Sequence, residues 1–140
     1  WDSGYAVDTM ETAIDWVRVP EAAAGIQADI TNALSDEGEA VHAFTHLSHF
    51  YGQGSSIYTT YIFRCGSDYE TTLARWEKLK AAGAEAIVRF GGTISHQHGV
   101  GKDHAKYLSA EKGELGIEAI QTLVELFDPQ QQMNPGKLVP

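Results

Sequence analysis

All six histidines of the chain fall in two short stretches. His42, His46 and His49 occupy one; His96, His98 and His104 occupy the other, set among glycines in RFGGTISHQHGVGKDH. Phosphate binding by a glycine loop is the first chemistry to consider, and the spacing rejects it. A P-loop needs glycine at position 96 and Ser or Thr after its lysine, but the chain has His96, and Asp103 after Lys102. A dinucleotide fingerprint built on Gly99 and Gly101 fails too, because His104 stands where its third glycine belongs. Metal ligation is the second. His42 and His46 share a face on a strand, as do His96 and His98 if their segment is extended, and imidazole nitrogen suits zinc. No carboxylate lies within the His42–His49 set or the His96–His98 pair, so no metal site is expected. Proton transfer is the third. Tyr58 and Tyr61 follow His49 closely, and a phenol among imidazoles can abstract or relay a proton while glycines let backbone approach a flat ligand. Against this stands a hydrogen-bonded structural role, the ordinary one for a single histidine and a strained one for the whole set.

The bulk composition narrows the classes. A chain of 140 residues, 43% hydrophobic and 21% charged, is one globular domain with room for a core. Ten Lys and Arg against nineteen Asp and Glu leave a net charge of −9, which excludes a nucleic-acid or anionic-lipid surface as the expected partner. The single cysteine, Cys65, excludes an internal disulfide framework and fits a reducing compartment, so a cytoplasmic location is expected. No apolar run approaches the roughly 20 residues of a membrane span. Trp1 in place of an initiator methionine is read as the start of a fragment of a longer protein.

The elements that must position these groups follow from local pattern. DTMETAIDWVRVP reads as a short helix, with Asp8 as cap, Glu11 three residues on, and Ile14 and Val17 at helical spacing. Pro20 opens a second helix whose face carries Ile26, Ile30, Ala33 and Leu34, stopped at Gly38. EAVHAFTHLSHFY alternates as a strand, YGQGSS turns, and SSIYTTYIFRC is a second strand, the two forming an antiparallel ribbon. A long helix follows, capped by Ser67 or Asp68, with Leu73, Trp76, Leu79 and Lys80 on its inner stripe and Gly91 and Gly92 at its end. Trp76 is expected in the core. After a short extended TIS and the histidine turn come two helices, around KDHAKYLSAEKG and ELGIEAIQTLVELFDP, and an irregular tail. The expected fold class is α+β, a small antiparallel sheet covered by helices.

GGTISHQHGVGKDHAKYL followed by FDPQQQMNPGKL resembles the C-terminal signature of FAD-linked oxidases of the vanillyl-alcohol-oxidase type, most nearly the alkyldihydroxyacetonephosphate synthase branch and its bacterial relatives. The resemblance extends to AVDTMETAIDW and THLSHFYGQGSSIYTTYIF, in the same order, and so covers essentially the whole chain. It implies that residues 1–140 are the cap and substrate portion of a two-domain flavoprotein. FAD would be held mainly by an N-terminal FAD-binding domain outside this chain. Tyr58, His96 and His98 match active-site positions of the synthase branch, while Gln97 stands where that branch has a middle histidine. Metal-dependent 2-hydroxyacid dehydrogenases of the superfamily carry a second histidine near Tyr58 and a glutamate at Gln97, and the chain lacks both. His46, His49 and Lys102 are the expected substrate contacts, and Asn134 and Lys137 the expected contacts to cofactor or neighbouring domain. The implied function is synthase-like chemistry on a small-molecule substrate, with the tyrosine and histidines moving protons beside the flavin. The alternatives are a flavin-dependent dehydrogenase or oxidase of an alcohol or 2-hydroxyacid, and an inert cap that serves to dimerise the protein.

Overall fold

In the computed structural model, which describes residues 2–139 and so leaves Trp1 and Pro140 outside, the segment predicted as the first helix is a strand. This strand, β1 (Tyr5–Asp15), pairs antiparallel along its whole length with β3 (Gly54–Arg64), Tyr5 lying opposite Arg64 and Asp15 opposite Gly54. The local pattern is ambiguous because Met10, Thr12 and Ile14 also satisfy the strand period of two. A capping box is worth about 1 kcal/mol, whereas a full ladder with Met10 and Thr12 buried at 2% and 1% exposure outweighs it. Val17, counted on the helical stripe, is 87% exposed in a short 3-10 turn.

The expected ribbon is present. β2 (His42–His46) pairs antiparallel with β3, and the sheet order is β1-β3-β2. β2 is shorter than the alternating pattern implied, since the chain leaves the sheet at Leu47 and returns only through a bridge between Phe50 and Ser55.

Two helices cover one face. α1 (Val19–Asn32) starts with Pro20 in its first turn, where the missing N–H costs nothing. α2 (Tyr69–Phe90) is capped by Asp68, whose Oδ1 accepts the Thr71 N–H at 2.7 Å, and ends at Gly91 with φ 71°. Ile26, Ile30 and Leu34 meet Leu79, Ala84 and Ile87 over Met10, Ile57, Tyr61 and Phe63, all buried. Each fully buried aliphatic side chain here contributes roughly 1.5–3 kcal/mol. Contact between α2 and the sheet is close enough that a Cβ at Gly83 would run into Met10 and Ile30. α3 (Leu108–Phe127) is broken at Gly113, with φ 67° and ψ 171°, which separates the two helical segments the sequence predicts. The architecture is therefore α+β as expected, with helices on one side of a small antiparallel sheet.

Asp8 anchors the covered face. Its carboxylate accepts from Trp76 Nε1 at 2.6 Å and Tyr61 Oη at 3.1 Å and pairs with Lys80 Nζ at 2.8 Å. Burial, followed by the Asp8 charge, pushes the Tyr61 phenol far above its ordinary pKa. The free edge of β1 is covered as well. Thr93 N–H donates to the Ala13 carbonyl at 3.1 Å, His96 N–H to the Glu11 carbonyl at 3.0 Å, and Lys80 Nζ to the Thr9 carbonyl at 3.0 Å. An uncovered strand edge is a template for unwanted pairing; here the cover also delivers the histidine turn to the sheet. Among the described residues, no helix is long and apolar enough to cross a membrane.

The close pairing at the start of β3 is testable. A Cβ at Gly54 would collide with the Ile14 carbonyl, a backbone atom that cannot turn aside, whereas one at Gly52 meets open space. Gly54→Ala is expected to cost roughly 1–3 kcal/mol in urea unfolding, with Gly52→Ala within about 0.5 kcal/mol of wild type.

Candidate active site on the open face of the sheet

Side chains alternate along a strand, so the residues between those buried under the helices point to the opposite, open face. Glu11 on β1 lies opposite Tyr58 on β3, and Tyr58 lies opposite His46 on β2. These cross-strand neighbours form a row. The Tyr58 ring stacks on His46 with centroids 5.0 Å apart and meets His98 edge-on at 5.5 Å. Tyr61 points the other way, to Asp8, so of the two tyrosines on β3 it is Tyr58 that belongs to this site.

Glu11 is the group around which both histidine stretches gather, and it overturns the expectation that no carboxylate belongs to them. It is only 4% exposed. Ser48 Oγ donates to its Oε1, His49 Nδ1 lies 3.4 Å from the same oxygen, and His98 Nε2 lies 3.3 Å from Oε2. A hydroxyl has one proton to give. With the Ser48 proton on Glu11, the 2.6 Å contact between Ser48 and Ser56 must be donated by Ser56, which in turn accepts the His49 N–H at 2.8 Å. The result is a directed chain from the His49 backbone to the carboxylate. Burial alone would raise the Glu11 pKa, but the hydrogen bond from Ser48, with Ser56, His49 and His96 close by, holds it below its ordinary value.

His96 sits beside this group, its Nε2 2.8 Å from Tyr51 Oη and its ring edge-on to His49 at 6.1 Å. Glu11, His49 and His96 each bring a ligating atom within 4.8 Å of the others. The Glu11 and His96 atoms are at the same time engaged by Ser48 and Tyr51. The segment is not extended, so the condition under which His96 and His98 would share a face is not met. The backbone turns at Gln97, which adopts φ 63° and is itself exposed, and His98 N–H bonds back to the His96 carbonyl at 2.8 Å. The turn sends one ring to Tyr51 and the other to Glu11 and Tyr58.

The remaining candidates lie elsewhere. His42 neighbours Phe44 on β2. His104 is turned inward with Nδ1 buried and unpartnered, and burial, then the Lys80 charge, lowers its pKa. Lys102 lines a groove with Trp76, Lys80 and Lys106, and Asn134 and Lys137 line another formed by the tail and the end of α3. Glu11, Ser48, Tyr51 and Ser56 are the site residues that sequence reasoning missed. The available signal was the alternation of ETAI, which places Glu11 opposite to Met10, Thr12 and Ile14.

With this geometry in place, the chain is recognisable by family. Residues 1–138 match the family of FAD linked oxidases, C-terminal domain, and the chain belongs to it. It is 27% identical over 139 residues to the alkyldihydroxyacetonephosphate synthase of Dictyostelium discoideum, a match covering 99% of this chain and 22% of that protein. It is 30% identical over 116 residues to a D-lactate dehydrogenase of Anaerostipes hadrus, covering 78% of this chain and 22% of the relative. A solved structure of alkyldihydroxyacetonephosphate synthase superposes with a TM-score of 0.64 at 20% identity, over 96% of this chain and 21% of that one. The chain thus spans about a fifth of the length of these relatives.

Removing the charge at the centre of the cluster should be visible in stability. Glu11→Gln is expected to lower unfolding free energy at neutral pH by roughly 1–3 kcal/mol, since it puts an amide donor in place of one oxygen of a buried acceptor that Ser48 and the imidazoles surround. A carboxyl held below its ordinary value of 4.5 stabilises the fold above that pH and loses the effect as pH falls through the lowered value. The gap between wild type and Glu11→Gln should therefore narrow below pH 4.5 in urea titrations; a gap independent of pH would mean the carboxylate is not held by its neighbours.

Proposed function

We propose that this chain is the substrate-side cap of an FAD-dependent flavoprotein of the alkyldihydroxyacetonephosphate synthase type, completed by an N-terminal FAD-binding domain. The observation that carries this is Tyr58, half-buried on the open sheet face between His46 and His98, with Glu11 beside it on the next strand. The described residues fit the flat reactive ring of a flavin rather than its phosphates. The open face presents Tyr58, Thr60 and Ile62 in a row, while the glycine turn lacks phosphate-loop spacing. When bound, FAD supplies an electrophilic and redox-active ring.

The residues of this chain would do the rest. His46 and His98 hold the Tyr58 phenol in place, so that its hydroxyl can donate to or accept from an oxygen of the substrate. His98 and His96 take up or return the proton, and fixed imidazole and phenol donors stabilise developing negative charge. His46 and His49 border the same face and are assigned to substrate binding. Lys102, in its separate groove, is assigned to substrate, and Asn134 and Lys137, on the tail, to the cofactor or the flavin-bearing domain. No metal is assigned a step.

The test uses the full-length protein with FAD. Ether formation from an acylated dihydroxyacetone phosphate and a fatty alcohol is expected, and Tyr58→Phe and His98→Ala should each lower kcat by roughly 10²–10⁴-fold. Anaerobic bleaching of the flavin by D-2-hydroxyacids, with no ether product, would instead support the dehydrogenase function borne by the D-lactate relative. Full activity in both variants would remove the proposed proton-transfer role.

A further inference from the structure

Glu11 is positioned to do more than hold the fold together. Its two oxygens serve different imidazoles, one from each histidine stretch, at nearly equal distances: Oε1 is 3.4 Å from His49 Nδ1 and Oε2 is 3.3 Å from His98 Nε2. A carboxylate is an acceptor only. A carboxylate this close favours the proton on the nearer imidazole nitrogen, and the opposite nitrogen of a neutral ring is left as the acceptor. The Glu11 carboxylate is held in turn by Ser48 on Oε1, on a backbone fixed in the middle of the β1–β3 ladder.

We infer that Glu11 is a positioning residue that sets the tautomers of two histidines in opposite senses, His49 as the Nδ1–H form and His98 as the Nε2–H form. The bases presented to a ligand are then His49 Nε2 and His98 Nδ1. The arrangement follows the logic of any carboxylate–imidazole pair in which the acid orients a ring and fixes its proton while remaining ionised itself. It differs in that one carboxylate governs two rings brought from distant parts of the chain. The third imidazole, His96, is governed separately by the Tyr51 hydroxyl at 2.8 Å. The groups facing His49 are Glu11, Ser48, Tyr51 and His96; those facing His98 are Glu11 and Tyr58. Of these only Glu11 is anionic and reaches both rings. The inference rests on the proton-transfer site proposed above, but its test needs neither flavin nor substrate, so the two can fail separately.

Long-range ¹H–¹⁵N spectra of the ¹⁵N-histidine-labelled chain, recorded about two pH units above the ordinary imidazole value of ~6.5, read each tautomer directly. His49 is the decisive residue, because a free imidazole in water prefers Nε2–H. The expected result is a predominantly Nδ1–H His49 and an Nε2–H His98 in wild type, with the Nδ1–H form of His49 lost in Glu11→Gln. Ser48→Ala, which removes the other group near His49 Nδ1 (3.2 Å away) and keeps the carboxylate, should leave His49 in the Nδ1–H form. An Nε2–H His49 in wild type would overturn the inference, whether or not any variant folds. So would an unchanged His49 in Glu11→Gln, or a reversal in Ser48→Ala.

Discussion

One buried carboxylate holds the candidate site together. Taking a charge out of water costs several kcal/mol unless its oxygens are met by donors; at Glu11, Ser48 donates to Oε1 and two imidazole nitrogens lie 3.3 and 3.4 Å away. These groups come from two separate places, the residues just after β2 and the turn after α2, and Ser56 on β3 backs Ser48. The requirement to satisfy Glu11 thus fixes where the histidine stretches go. The backbone of β1 reinforces this, because the same residue uses its carbonyl to accept the His96 N–H.

The sheet divides its chemistry by face. On the helix side, β1 and β3 bury Met10, Ile57 and Phe63, and Asp8 gathers Tyr61, Trp76 and Lys80 into a satisfied, inward-facing network. On the open side, one residue out of phase, the same strands present Glu11 and Tyr58. A shift of register by one residue would exchange the two sets, sending Tyr61 out and burying Tyr58. Close packing at Gly54 and Gly83 and the paired length of β1 and β3 guard against that slip. The make-up of the candidate site therefore depends on register as much as on residue identity, and the helices on the other face matter because they fix it.

Much of this was legible in the sequence. The β2–β3 ribbon, the long α2 with its Asp68 cap, the break at Gly113, and the family membership all follow from local pattern and motif. What was not legible depends on pairing at long range. Asp8 and Glu11 have the spacing of a helix cap, and nothing local distinguishes that from two strand residues pointing to opposite faces; the partner strand, some 45 residues on, decides it. Ser48 and Tyr51 acquire their roles from the path of the chain after His46, where the strand pattern continues in sequence but the pairing stops. Gln97 is a similar case. The sequence marks it as a departure from the synthase branch, whereas its left-handed backbone, which points His96 and His98 to different partners, emerges only in three dimensions.

As the proposed cap of a flavoprotein, the chain would turn its open sheet face, with Tyr58 and the histidines around Glu11, to the flavin. A crystal structure of the full-length protein with FAD tests it most directly. The Tyr58 hydroxyl and the His98 ring are expected over the reactive part of the flavin, with room for a substrate atom roughly 3–3.5 Å from both. A structure in which this face points to solvent, or is closed off by another surface with the flavin elsewhere, would contradict it.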